Sequence, residues 1–238
     1  KGWILLDLLV SCALGRRLNI ETISHEGEPF KVAYVGYEDD GPELKERLNK
    51  ICFTAAVNPG EWVEAQRAGY LNFFCRIDDD LPELATQRKN DLPIPTAAFS
   101  ALEAFITGAG IKLAVIDTLS AAAGLQNEDN ASLNAFSKAL RRMARRTGCT
   151  LLLVHHTAKA TRGAMDHTSS RGGGSLPGNG RWGLNIVIPD EKNFDSLEMG
   201  VTKTSYGKRL TGIKLVRESD GVIRELSRDE IAYQRTVL

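Results

Sequence analysis

The sequence predicts an α/β fold: a mostly parallel, twisted sheet with helices on both faces, followed by antiparallel C-terminal edge strands. Three observations predict it. Apolar runs that read as buried strands recur at 31–37 (KVAYVGY), 71–77 (LNFFCRI), 112–120 (KLAVIDTLS) and 149–157 (CTLLLVHHT). Helix-like segments stand between them. After residue 182 the strand-like runs come in pairs, 183–189 with 196–204 and 210–217 with 221–226.

Each element has its own signal. Within 3–18, Ile4, Leu5, Leu8, Leu9 and Cys12 fall near helical spacing, and Gly15 is a stop. The strand at 31–37 runs into an acidic turn, EDDG, and ELKERLNKI (43–51) is an amphipathic helix. The polar, proline-bearing stretch 78–95 predicts a loop. FSALEAFITGAG (99–110) is a helix, 119–130 a loop of small and acidic residues, and SLNAFSKALRRMARRTG (132–148) a helix with a basic face. That basic face is ordinary for a solvated outer surface. Residues 158–181 form a loop rich in Gly, Ser and Arg.

Composition bounds the possibilities. The chain has 238 residues, 42% of them hydrophobic, enough for one large core, so a single domain over 1–238 is expected. Thirty basic residues balance thirty acidic ones, so any anionic partner must be held by local clusters. Cys12, Cys52, Cys75 and Cys149 are scattered through apolar segments without metal-ligand spacing, as buried thiols of a cytoplasmic protein would be. No apolar run reaches the roughly 20 residues that span a bilayer. LLDLLV is short and carries Asp7. No membrane role is expected.

In a parallel sheet, ligands bind beyond the carboxyl ends of the strands, and three strands here end in chemistry. One ends at Glu38, Asp39 and Asp40, the next at Asp117, the last at His155 and His156. A hydrophobic strand ending in Asp is the Walker B pattern, whose carboxylate holds Mg²⁺ through water; Asp is also a common loop cap. A strand-end Glu orients and deprotonates water; EDDG is also good turn chemistry. Adjacent histidines on a strand point to opposite faces. A shared metal is therefore a poor use for them, and a hydrogen-bonding sensor of phosphate a better one. Together the three ends suggest nucleotide hydrolysis. Lys1, opening an apolar helix, stands where the lysine of a GxxxxGK[ST] phosphate loop would stand.

VAYVGYED, LAVIDTLS, the NEDNAS…RRTGCTLLLVHHTAK block, SSRGGGS…NGRW and VTKTSYG together resemble the RepA-type hexameric replicative helicases of broad-host-range plasmids, within the RecA-like ATPases. The resemblance runs from Lys1 to about residue 225. It implies a RecA-like core whose first strand and phosphate-loop glycines lie upstream of Lys1. It implies ATP and Mg²⁺ as cofactors. Lys1 looks like the lysine on the β- and γ-phosphates, with Gly2 beside it. Glu38 looks like the catalytic glutamate with Asp39 next to it, and Asp117 like the Mg²⁺ carboxylate. His156, preceded by His155, looks like the γ-phosphate sensor. Arg181 looks like an arginine finger, and Lys203 like a second basic residue facing the neighbouring subunit. Arg47 and Tyr206 fall where the family holds single-stranded DNA; the loop with Lys159, Arg162 and Arg171 is basic and glycine-rich, which suits gripping DNA. The implied partners are single-stranded DNA, further copies of the chain in a hexameric ring, and a primase or replication initiator. One departure stands out: Gly2 occupies the position where the phosphate loop has Ser or Thr, whose hydroxyl ligates Mg²⁺.

The sequence leaves other readings open. They are a degenerate RecA-like module that binds DNA or partners without hydrolysis, a RecA-like ATPase of recombination or regulation, and a metal-dependent phosphohydrolase using Asp117, His155 and His156.

Overall fold

A strand with apolar residues on both of its faces is stable only when covered on both sides. β1 (Val32–Gly36) and β5 (Leu113–Asp117) are buried at every residue. In the computed structural model, which describes residues 1–89, 91–125, 129–156, 178–190, 192–207 and 209–237, they lie at the centre of a four-stranded sheet. With β2 (Leu71–Cys75) and β6 (Thr150–Leu153) the order is β2-β1-β5-β6, all parallel.

Alternation along β1 assigns the two faces. Val32 and Tyr34 pack with α1 (Gly2–Leu14), α2 (Gly41–Thr54) and α3 (Pro59–Arg67). Ala33 and Val35 pack with α5 (Ala97–Ala109), α6 (Leu119–Ala123) and α7 (Asn130–Thr147). Helices thus cover both faces, as the sequence predicts. α4 (Arg76–Asp79) and the two-residue strands β3 (Ala85–Thr86) and β4 (Ile94–Pro95) complete this half.

The C-terminal strands β7 (Trp182–Val187), β8 (Ser196–Thr204), β9 (Ile213–Arg217) and β10 (Ile223–Glu225) are antiparallel, as expected. They pair with one another in a second sheet, order β10-β9-β8-β7, instead of lengthening the first. α8 (Arg228–Val237) follows.

α1 joins the two sheets. It is apolar nearly all round, the pattern of a helix covered on every side. Leu6, Leu9 and Val10 belong to the core under the parallel sheet, while Ile4, with Ile20, packs against Leu197, Met199, Leu215 and Ile223 of the second sheet. The segment after α1 is hydrogen-bonded to β10. Glu225 N donates to Asn19 O at 2.8 Å, and the Glu225 carboxylate accepts from Thr22 N at 2.8 Å and Thr22 Oγ1 at 2.7 Å. α1 ends where the sequence says, at Gly15, whose φ of 69° is left-handed. A Cβ there would lie 2.1 Å from Gly27 O, so only glycine fits.

Two predicted loops hold short helices. The strand expected over 71–77 stops at Cys75, and α4 takes up its last two residues and the first two of the 78–95 loop, because Asp79 Oδ2 accepts from Cys75 N at 2.8 Å. Within 119–130, α6 forms because Thr118 caps it and Ala122 and Ala123 are small enough to be fully buried. α3 is also additional. Asn58 caps it with Pro59 behind, and Trp62 and Ala65 bury one face.

Candidate nucleotide site

The carboxyl ends of β1, β5 and β6 bring Lys1, Glu38, Asp39, Asp117, His155 and His156 to one rim. The backbone fixes the registry: Tyr37 N donates to Asp117 O at 2.6 Å, and Leu119 N to Val154 O at 2.8 Å. The Asp117–Thr118 peptide is cis.

Asp117 lies deepest, 7% exposed. Its Oδ2 accepts from the Tyr34 hydroxyl at 3.0 Å, and the same hydroxyl is 3.3 Å from Asp39 Oδ2. One phenol therefore serves two carboxylates. Burial pushes the Asp117 carboxyl up from its ordinary value; the Tyr34 hydrogen bond opposes this, and the charges of Asp39 and Glu38 add to it. The negative charges of Asp39 and Glu38 beside Asp117 would also favour a cation arriving between these carboxylates. Tyr34 is pushed strongly up, by burial first and then by the two carboxylates, so it stays a phenol.

Lys1 is the N-cap of α1. Its ammonium donates to His155 O, which ties the helix start to the end of β6. Partial burial lowers its pKa, against the pull of Asp117 and Glu38. No side chain caps α1, and its first turn holds no acidic residue. The first turn therefore presents its N–H groups and the positive end of the helix dipole with no carboxylate of its own, an arrangement that suits an anion.

Glu38 stands at the outer side of the rim, with its side chain about half exposed. Its Oε1 accepts from Thr118 Oγ1 at 2.9 Å, and His156 Nε2 lies 3.8 Å away. Thr118 also caps α6, accepting from Ala121 N at 3.4 Å. His155 turns elsewhere, with Nδ1 3.4 Å from Ser120 Oγ. The two imidazoles thus have different partners; β6 ends at Leu153, so both lie in the segment after the strand and not within it, as the expected strand over 149–157 had placed them. Among the described residues no three His, Cys, Asp or Glu side chains form a metal cage. Mg²⁺ that arrives on a polyphosphate needs only one or two protein carboxylates. Asp117 and Asp39, facing each other across Tyr34, suit that use.

Arg47, expected at DNA, points into this rim. Its Nη1 donates to Asp39 Oδ2 at 2.8 Å, its Nη2 donates to Glu43, and its guanidinium lies over the Trp3 ring at 5.7 Å. Gly2 is next to it: a Cβ at Gly2 would be 2.8 Å from Arg47 Nη1 and 3.5 Å from Asp39 Oδ2. Arg181, Lys203 and Tyr206 lie at one end of the antiparallel sheet. Arg181 is exposed and its carbonyl accepts from Ser205 N at 2.9 Å; Lys203 Nζ donates to Gly178 O at 3.3 Å. Tyr206 is 74% exposed, and beside it Trp182 is 53% exposed. Lys159, Arg162 and Arg171 fall outside the described residues. On α7, Arg146 forms a forked pair with Glu103 of α5 at 2.5 and 2.8 Å, as expected of an outer helix face.

The sequence reading missed Tyr34, Thr118 and Ser120. Thr118 and Ser120 sit inside the strand-end motif itself. Tyr34 looks like any aromatic in a buried strand, and nothing in the sequence marks its hydroxyl.

The model of a known family, described as an AAA domain, matches residues 1–162, about two thirds of the chain. The chain belongs to the AAA domain family. The matched span of the AAA domain contains α1, the whole parallel sheet and every rim residue named above. It is a nucleotide-binding module of the P-loop ATPase type. A comparison with curated proteins gave no match. Among the described residues no helix is long and apolar enough to cross a membrane.

Proposed function

We propose that this AAA domain is the ATP-hydrolysing motor of a cytoplasmic, ring-forming translocase on single-stranded DNA, serving replication of a plasmid or other mobile element. The observation that carries the hydrolytic part is the convergence of Lys1, Glu38, Asp39 and Asp117 at the end of one parallel sheet, next to the uncapped start of α1. Lys1 and the first turn of α1 hold the phosphates. Asp117 and Asp39 hold Mg²⁺, directly or through water, and the ion when bound offsets charge on the phosphate oxygens. Glu38, oriented by Thr118, accepts the proton of the attacking water. His156, beside Glu38, reads the state of the terminal phosphate.

The motor part rests on the resemblance and on surface chemistry. Trp182 and Tyr206 expose two rings beside Arg181 and Lys203. Aromatic faces stack on bases without reading sequence, and cations track the backbone. Arg181 and Lys203 act on the site of the next copy in the ring, and a primase or initiator is the further partner. The test is ATP hydrolysis by the intact protein with and without single-stranded DNA, beside Glu38→Gln. DNA-stimulated hydrolysis that Glu38→Gln abolishes supports the motor. Hydrolysis that DNA leaves unchanged removes the translocase, and normal turnover by Glu38→Gln removes the catalytic assignment.

A further inference from the structure

We propose that Arg47 is a built-in counter-cation of the nucleotide site, a positioning residue that fixes Asp39 and, through the shared Tyr34 phenol, Asp117, and that glycine at position 2 is what admits it. This role rests on the nucleotide-binding reading above.

The steric case comes first. A side chain at position 2 would begin 2.8 Å from Arg47 Nη1, closer than a carbon and a nitrogen can approach. The guanidinium is the end of a long side chain, so it would move aside instead of blocking folding. Moving aside disturbs the 2.8 Å bond to Asp39, the contact to Glu43 and the position over Trp3. Position 2 and Arg47 therefore compete for one volume. Here the arginine has it.

The charges decide what it does there. Glu38, Asp39, Glu43 and Asp117 gather at this rim, and among the described residues Lys1 and Arg47 are the lysine and arginine that reach them. Arg47 is well placed for a permanent role: its side chain is 18% exposed, partner carboxylates hold two of its nitrogens, and an aromatic ring lies under it. The chain Arg47–Asp39–Tyr34–Asp117 is continuous, at 2.8, 3.3 and 3.0 Å. Arg47 thereby offsets the carboxylates before any divalent ion arrives. A polyphosphate, itself an anion, then meets a rim that repels it less.

The consequence is a difference between two affinities. Without Arg47 the carboxylates are left to Lys1, so nucleotide binding in the absence of Mg²⁺ suffers most. Added Mg²⁺ supplies the missing charge. The experiment is equilibrium binding of a fluorescent ATP analogue to the intact protein, without DNA, in EDTA and at saturating Mg²⁺. The variants are Arg47→Ala, Arg47→Lys, Gly2→Ala and the Gly2→Ala/Arg47→Ala double, with melting temperature measured for each. Arg47→Ala is expected to lose on the order of tenfold in affinity in EDTA, the scale of one charge acting across a partly screened site, and clearly less in Mg²⁺. Arg47→Lys keeps most of the EDTA affinity. Gly2→Ala loses affinity in the same direction as Arg47→Ala, and the double variant loses no more than Arg47→Ala alone, because both act on the same contact.

A purely structural arginine would lower the melting temperature and leave the ratio of the two affinities unchanged; that result overturns the proposal. Additive losses in the double variant overturn it too, as does an Arg47→Ala defect confined to DNA binding. If the wild-type protein binds no nucleotide, the nucleotide site and this role fall together. If it binds nucleotide and the variants match it, only the role of Arg47 falls.

Discussion

Replacing Asp7 by Asn should change how stability depends on pH. Asp7 lies in the middle of α1 and is 1% exposed. Its Oδ1 accepts from Asn19 N at 3.2 Å and Asn19 Nδ2 at 2.8 Å, and its Oδ2 accepts from Ile20 N at 3.2 Å. Burial still outweighs these three donors and pushes the carboxyl up from 3.8 to about 6. The sign follows from linkage. Below the unfolded value both states carry the proton, and the contribution of Asp7 is fully present. As pH rises through the folded value, the buried carboxyl must ionise where water cannot reach it, and the contribution is lost. At about 1.4 kcal/mol per pH unit across this gap, the loss totals about 3 kcal/mol. Asn has no proton to lose. Its amide nitrogen would face the Ile20 N–H, donor against donor, at a pH-independent cost of roughly 1–3 kcal/mol. Asp7→Asn should therefore be the less stable protein near pH 4 and draw level with wild type or pass it near pH 8. Urea unfolding of both proteins at half-unit steps of pH measures the difference. A difference that stays constant from pH 4 to pH 8 would refute the reasoning, because Asp7 would then not titrate with a raised value.

Other outcomes follow from the same geometry. Glu38→Gln should lower kcat about 10²–10⁴-fold while nucleotide affinity holds, as measured by steady-state hydrolysis and equilibrium binding. Tyr34→Phe removes the hydroxyl between Asp117 and Asp39. Losing a bond that lowers the Asp117 carboxyl should raise it further, so the acid limb of the pH–rate profile should move to higher pH. Leu9→Ala, in the middle of α1 and fully buried, should cost about 2–5 kcal/mol in urea unfolding. Trp182→Ala and Tyr206→Ala should each weaken single-stranded DNA binding by about 1–3 kcal/mol in a fluorescence titration, without changing nucleotide affinity in the absence of DNA.

The parallel sheet was legible because its strands are short, largely apolar runs, and such a run names its own end. Glu38, Asp117 and His155 could therefore be placed on one rim from their position after such runs. What each side chain does there was less legible. Arg47 lies on the polar side of an amphipathic helix, and helical spacing gives no sign that it turns inward over Trp3 and Asp39. The hint was Gly2, which reads as a lost metal ligand until the guanidinium is seen beside it. The late strands were legible as antiparallel pairs. That they form a separate sheet was not, since alternation tells which face is covered and not by what. α1 hides its role for the same reason: an all-apolar helix announces burial without naming its neighbours.

The shared helix separates two boundaries that are often taken as one. The family match ends at residue 162, yet Ile4 and Ile20 inside that span are covered by Leu197, Met199, Leu215 and Ile223 outside it. A protein trimmed to the recognisable span would expose both isoleucines to water, at about 1.5–3 kcal/mol each, one on the helix that Lys1 caps and one in the segment that follows it. What is recognised as a domain here is therefore smaller than what must fold together. Expression boundaries set by the family match would cut through a core.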